Sequence, residues 1–176
     1  MQHDLVELSE HVWSRTAARL EWLEDDEYLW EPAPVCWSIR PDEDGVWRMD
    51  EGPVAGDAPF TTIAWRLAHL TACYGHRLNR VWLGLPVDAV QDAFELDAPA
   101  PPTAAGAIDR LVGAHAAWVE VLAAQRDEAL AEKLGPVAGE FADEDKAAFV
   151  LHMIDEHIHH GAEIALLRDL WRARRG

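Results

Sequence analysis

Apolar positions recur at the 3.6-residue period of amphipathic helices in four stretches of the chain, and no run alternates strictly over the length of a strand. The first stretch runs from about Asp4 to Asp26, with Leu5, Leu8, Val12, Ala18 and Trp22 along one face. The second opens after Phe60, with Thr61 or Thr62 as its N-cap. It carries Ile63, Leu67, Leu70, Tyr74, Leu78 and Val81 and stops near Gly84 and Pro86. A third, from Thr103 to about Glu128, presents Ile108, Leu111, His115, Trp118 and Leu122. The fourth, from about Asp143 to Arg174, is the longest and most apolar. This pattern predicts an all-α fold, and residues 1–176 suit a single domain.

The connections are uneven. Residues 27–60 contain Pro32, Pro34, Pro41, Pro53 and Pro59 together with Trp30, Trp37 and Trp47. A connection this long either walls a binding site or covers one end of the helices, and the pattern leaves both open. Residues 85–102 end in Pro99, Pro101 and Pro102 and read as a semi-rigid spacer.

Candidate chemistry lies in the histidines. His152, His157, His159 and His160 crowd into the fourth helical stretch, and His69 and His76 share one face of the second. At about 100° per residue, Ala147, Val150, Ile154, Ile158 and Ala165 form a broad apolar arc, flanked by Phe149, Met153, Ile164, Leu167 and Trp171. His157 and His160 fall inside that arc, Glu156 lies at its border, and His152, His159 and Glu163 project from the opposite side. A carboxylate and an imidazole directed into an apolar interior need a partner, a changed protonation state or a metal. One histidine of the second helix with Glu156 and His160 would make an N,N,O site with room for a further ligand. The same residues could simply hydrogen-bond across helices, so spacing alone leaves metal and structural pair both open. Cys73, one turn beyond His69, is either an extra ligand or a core residue.

Charge narrows the partners. Fifteen Lys and Arg against 32 Asp and Glu give a net charge of −17, which repels phosphate backbones and anionic headgroups. Nucleic acid and membrane surfaces are therefore not expected partners; a small molecule is. The basic cluster Arg168, Arg172, Arg174 and Arg175 reads as a helix C-terminus complementing the dipole. Two cysteines without CxxC spacing, an N-terminal stretch rich in acids and no apolar run of membrane-spanning length predict a cytoplasmic protein.

Trp65, Arg66, Leu67, Ala68, His69 and Leu70, followed much later by Glu156 through Ile164, resemble the DinB-like/YfiT-like superfamily, as does Trp37-Ser38-Ile39-Arg40-Pro41. The resemblance spans almost the whole chain. It implies a four-helix bundle with long crossover loops and a divalent ion, zinc or nickel first and iron or manganese next. In that family three histidines hold the ion, one from the second helix and an HxxxH pair from the fourth. His69 and His160 match; Glu156 stands where the first histidine of the pair would be, and His157 is the adjacent candidate. The resemblance further implies a metal-dependent transferase using a low-molecular-weight thiol, or a hydrolase, with Glu156 as the catalytic base if it is not a ligand. Trp37 and Trp65 are the expected substrate-pocket residues, and a homodimer is a further expectation. A non-catalytic bundle serving binding or stress responses, and a metal sensor or store, stay open beside the enzyme reading.

Overall fold

The computed structural model describes residues 1–51, 60–87 and 92–174. Four long helices form the body: α1 (Gln2–Leu20), α3 (Ile63–Gly75), α5 (Ala104–Ala123) and α7 (Lys146–Ala173). Helix α1 packs on α5 and α7, and α3 packs on the same two, so the four make a closed ring around the core. The steps from α1 to α3 and from α5 to α7 therefore cross the bundle diagonally, whereas α3 and α5 are neighbours. Side-chain caps set three of the helix starts. Thr62 accepts from Trp65 N–H at 3.1 Å, Thr103 from Gly106 N–H at 3.3 Å and Asp145 from Ala148 N–H at 2.8 Å.

The expected first helix is shorter than its pattern. It ends at Leu20, Trp22 takes a left-handed φ of 61° and is 90% exposed, and a separate turn α2 (Asp25–Tyr28) follows. The buried face is Leu5, Ser9, Val12, Thr16 and Leu20, whereas Leu8 and Ala18 face outward. Small polar residues on the inner face let α7 approach closely. A Cβ on Gly161 would meet Thr16 Oγ1 at 2.6 Å, so the contact requires glycine there. On α7, Ile158 is exposed rather than part of the buried arc, because it lines an open groove beside α1.

The second predicted helix is broken. After α3, His76 adopts an extended ψ of 136° and becomes the N-cap of α4 (Arg77–Trp82), its Nδ1 accepting from Leu78 N–H at 3.0 Å. Phe94, from a 3₁₀ turn at Asp92–Phe94, packs on Gly75 so closely that a Cβ there would lie 2.2 Å from it. The third predicted helix likewise stops at Ala123, with α6 (Asp127–Leu130) and a 3₁₀ turn at Pro136–Phe141 leading to α7.

The long connection after α2 contains two-stranded pairings that no alternating pattern announced, because each strand has only two or three residues. β1 (Cys36–Trp37) runs parallel to β4 (Phe60–Thr61), and β2 (Ile39–Pro41) antiparallel to β3 (Trp47–Met49). Trp30 covers the end of the bundle against Trp171, with ring centroids 5.6 Å apart, and Trp37 packs toward Trp65 at 5.7 Å. Pro53 and Pro59 lie outside the described residues, as does Arg175.

Arg168 is not a surface cation of a helix terminus; it is 2% exposed. Its Nε donates to Glu27 Oε1 at 2.9 Å and its Nη2 to Oε2 at 3.1 Å, while Nη1 donates to the Arg19 carbonyl and, at 2.9 Å, to that of Glu21. One guanidinium thus satisfies carbonyls left open at the end of α1 and fastens α2 to α7.

A second polar knot ties all four long helices. His115 of α5 stacks on Trp13 of α1 at 4.3 Å, and His157 of α7 is fully buried, its Nδ1 hydrogen-bonded to the Tyr74 hydroxyl of α3. Burial holds His115 down to about 4; burial first, then the charges of His115 and His160, holds His157 down to about 3. Both are neutral core residues in the folded chain at neutral pH.

Glu27→Ala leaves the Arg168 charge buried without its partner and is expected to destabilise the fold by about 3–5 kcal/mol in urea unfolding, with Glu27→Leu/Arg168→Met recovering only part of the loss because the Arg19 and Glu21 carbonyls lose their donor. His115 faces Trp13, Tyr74 and His157, and only the unfolded chain protonates it between pH 6.5 and about 4. Its contribution is present above pH 6.5 and lost as pH falls toward 4, by about 1.4 kcal/mol per pH unit. Urea unfolding of His115→Phe across that window should show a shallower slope than the wild type by about that amount.

Candidate metal centre

Trp65, His69 and Cys73 follow one another at i, i+4 and i+8 on α3, and Glu156, His160 and Glu163 at i, i+4 and i+7 on α7, so each helix presents its set along one line. Packing of α3 on α7 brings the two lines face to face. Glu156 Oε2 lies 3.3 Å from His69 Nε2 and 3.2 Å from His160 Nε2, and Cys73 Sγ lies 3.4 Å from His69 Nε2. The two imidazoles meet edge-on, centroids 4.8 Å apart at 87°. His69 is braced from the other side by Trp65, stacked at 5.0 Å and 10°, which leans in turn on Trp37.

A second layer orients His160. Its Nδ1 is 2.7 Å from Glu163 Oε2 and 2.7 Å from Arg66 Nη1, and Arg66 and Glu163 form an ion pair. Ionised Glu163 accepts and Arg66 donates, so Nδ1 pairs with one or the other according to the tautomer of the ring, while Nε2 faces Glu156. Glu163 is therefore not the solvated residue of the outer face that its wheel position suggested. The signal available was its spacing of seven from Glu156, which superimposes the two. His152 and His159 do project outward, at 63% and 61% side-chain exposure, His159 reaching Glu163 Oε1 at 3.1 Å. His76 is turned away by the helix break and pairs with Glu95 at 3.2 Å, and His157 points into the core instead.

The protonation states suit a cation. Burial, followed by the charge of His160, lowers the pKa of His69, favouring neutral imidazole. Burial would raise the carboxyl of Glu156, but the His69 hydrogen bond and the His160 charge outweigh it and keep it ionised. Burial pushes the Cys73 thiol up to about 12. The Oε2 of Glu156 and the Nε2 of His160 face each other at 3.2 Å, a spacing that a proton on the imidazole or a metal ion between them would satisfy. Metal–nitrogen and metal–oxygen bonds of about 2.0–2.2 Å place tetrahedral ligands about 3.3–3.6 Å apart, close to the spacings here. The residues present fit a divalent ion. His69, Cys73 and Glu156 offer donor atoms that all lie within 4.8 Å of one another.

A family model described as the DinB superfamily matches residues 9–164. This chain belongs to the DinB superfamily. Members of that superfamily generally bind metal, in keeping with the His/Cys/Glu cluster between α3 and α7. No curated protein and no solved structure matches the sequence. What the sequence pattern missed in this DinB-superfamily chain is the Arg66–Glu163 support, since it depends on how far α3 and α7 are rotated toward each other.

Protein purified without an affinity tag is expected to carry about one divalent ion per chain by mass spectrometry. His69→Ala and His160→Ala should lose it with the helical circular-dichroism signal largely intact, and His159→Ala should keep it. Full retention in both of the first two variants would remove His69 and His160 from the ligand set.

Proposed function

We propose that this chain is a divalent-metal-dependent enzyme acting on a small molecule, transferring a low-molecular-weight thiol to an electrophilic carbon. The observation that carries the reading is the Glu156 carboxylate held between two imidazoles at ligand spacing, all three side chains between 12% and 27% exposed and so reachable from solvent. His69, Glu156 through Oε2 and His160 would hold the ion. When bound, a divalent ion supplies a Lewis acid that lowers the pKa of a thiol or a water beside it.

Around that centre the chain's own residues divide the work. Glu163 and Arg66 fix the ring of His160, and Trp65 fixes that of His69. Glu156 Oε1 is 3.9 Å from His152 Nε2, beyond hydrogen-bond range, which leaves it free to accept a proton from the incoming nucleophile. In the transfer, the thiol proton passes to Glu156 Oε1 as sulfur bonds to the electrophilic carbon, and the leaving group takes the electron pair of the broken bond. The same free carboxylate oxygen favours a second reading, hydrolysis, with water giving up its proton in place of the thiol.

Zinc- or nickel-loaded protein is expected to accelerate conjugation of cysteine or another small thiol to 1-chloro-2,4-dinitrobenzene above the uncatalysed rate, with Glu156→Gln reducing the acceleration by about 100-fold or more. Turnover of a p-nitrophenyl ester without thiol would assign the chain to hydrolysis. Bound metal with neither reaction would count against the enzyme reading and for the non-catalytic bundle.

A further inference from the structure

Two apolar clefts meet beside the metal centre. The smaller, about 220 Å³, is lined by His69 and Cys73 at one end and by Trp82, Phe149 and Met153 at the other. The larger, about 430 Å³, continues past those same three residues to Leu134, Phe141 and Ala148, between α4, the Pro136–Phe141 turn and the start of α7. Its volume lies in the range of small-molecule sites. Trp82 and Phe149 stand with centroids 4.9 Å apart, and Trp82 and Phe141 6.1 Å apart, so the walls are aromatic. Phe141 is half exposed, apolar surface that a soluble ligand would cover. Trp37 and Trp65 line neither cleft.

Resting on the metal-centre reading above, we infer that these joined clefts are the substrate site, taking a substrate whose non-reacting part is an uncharged aromatic or branched alkyl group. That group sits among Trp82, Phe141, Phe149 and Met153, and the reacting atom reaches the end bounded by His69 and Cys73. Charge excludes the anionic alternative: among the described residues, Glu144 and His152 are the only titratable side chains of the larger cleft, and neither Lys nor Arg lines either one. A second copy of the chain is a poor occupant because each carries −17.

The test uses 2-naphthol, a small neutral aromatic, titrated by fluorescence into the full-length zinc-loaded protein. Ala148→Trp fills the larger cleft and is expected to weaken binding at least about tenfold, and Phe141→Ala, which removes an exposed wall, by about tenfold. Zinc stoichiometry should stay unchanged in both variants. With manganese in place of zinc, the proton resonances of bound 2-naphthol should broaden, placing the ring beside the ion. No binding to metal-loaded protein, undiminished binding to Ala148→Trp, or no broadening with manganese bound would overturn the inference while leaving the metal centre intact. Binding abolished by Ala148→Trp in a chain that takes up no metal would sustain the apolar pocket and remove the metal reading instead.

Discussion

Glu156 Oε2 stands 3.2 Å from His160 Nε2 and 3.3 Å from His69 Nε2. In water these side chains would drift apart, but here the backbone of two packed helices holds them together and Glu163 and Arg66 engage the other nitrogen of His160. The electrostatic cost of that proximity is removed by a cation, whether protons on the imidazoles or one divalent ion. Much of the surrounding architecture serves this one spacing. The Arg66–Glu163 pair braces His160, Trp65 stacks on His69 and leans on Trp37, and the packing of α3 on α7 keeps Glu156 within 3.3 Å of both rings.

Other polar groups in the interior are handled differently. Arg168 is matched to Glu27 and to helix-end carbonyls, a closed set that leaves little capacity for a ligand. His115 and His157 are stripped of charge by burial and absorbed into an aromatic cluster with Trp13 and Tyr74. The contrast separates the interior from the candidate site: the polar groups of those two clusters are paired or neutral, whereas the His69–Glu156–His160 group is partly exposed and its His69 lines an apolar cleft.

Glutamate at position 156 gives the centre a harder donor than an imidazole would, and Cys73 puts a soft one 3.4 Å from His69. The cleft geometry matters as much as the ligands, because the break at His76 swings α4 outward and brings Trp82 against Phe149 and Phe141. Had α3 continued straight, as its periodicity predicts, that aromatic wall would stand elsewhere.

By itself the sequence determined the helical class, the helix starts at Thr61 or Thr62 and near Thr103, the family, and the helix lines that carry His69, Glu156 and His160, because each of these follows from a local period or a short motif. Tertiary structure decided the rest. Trp22, Leu8 and Ile158 are apolar yet exposed, because a helical wheel gives a direction but not what lies in it. Arg168 is buried, because its partner Glu27 lies far away in the chain, and Glu163 supports His160 instead of facing water, because Arg66 arrives from another helix. Local periodicity encodes angles about one helix axis; which charges become neighbours depends on the distance and rotation between axes, and only packing sets those.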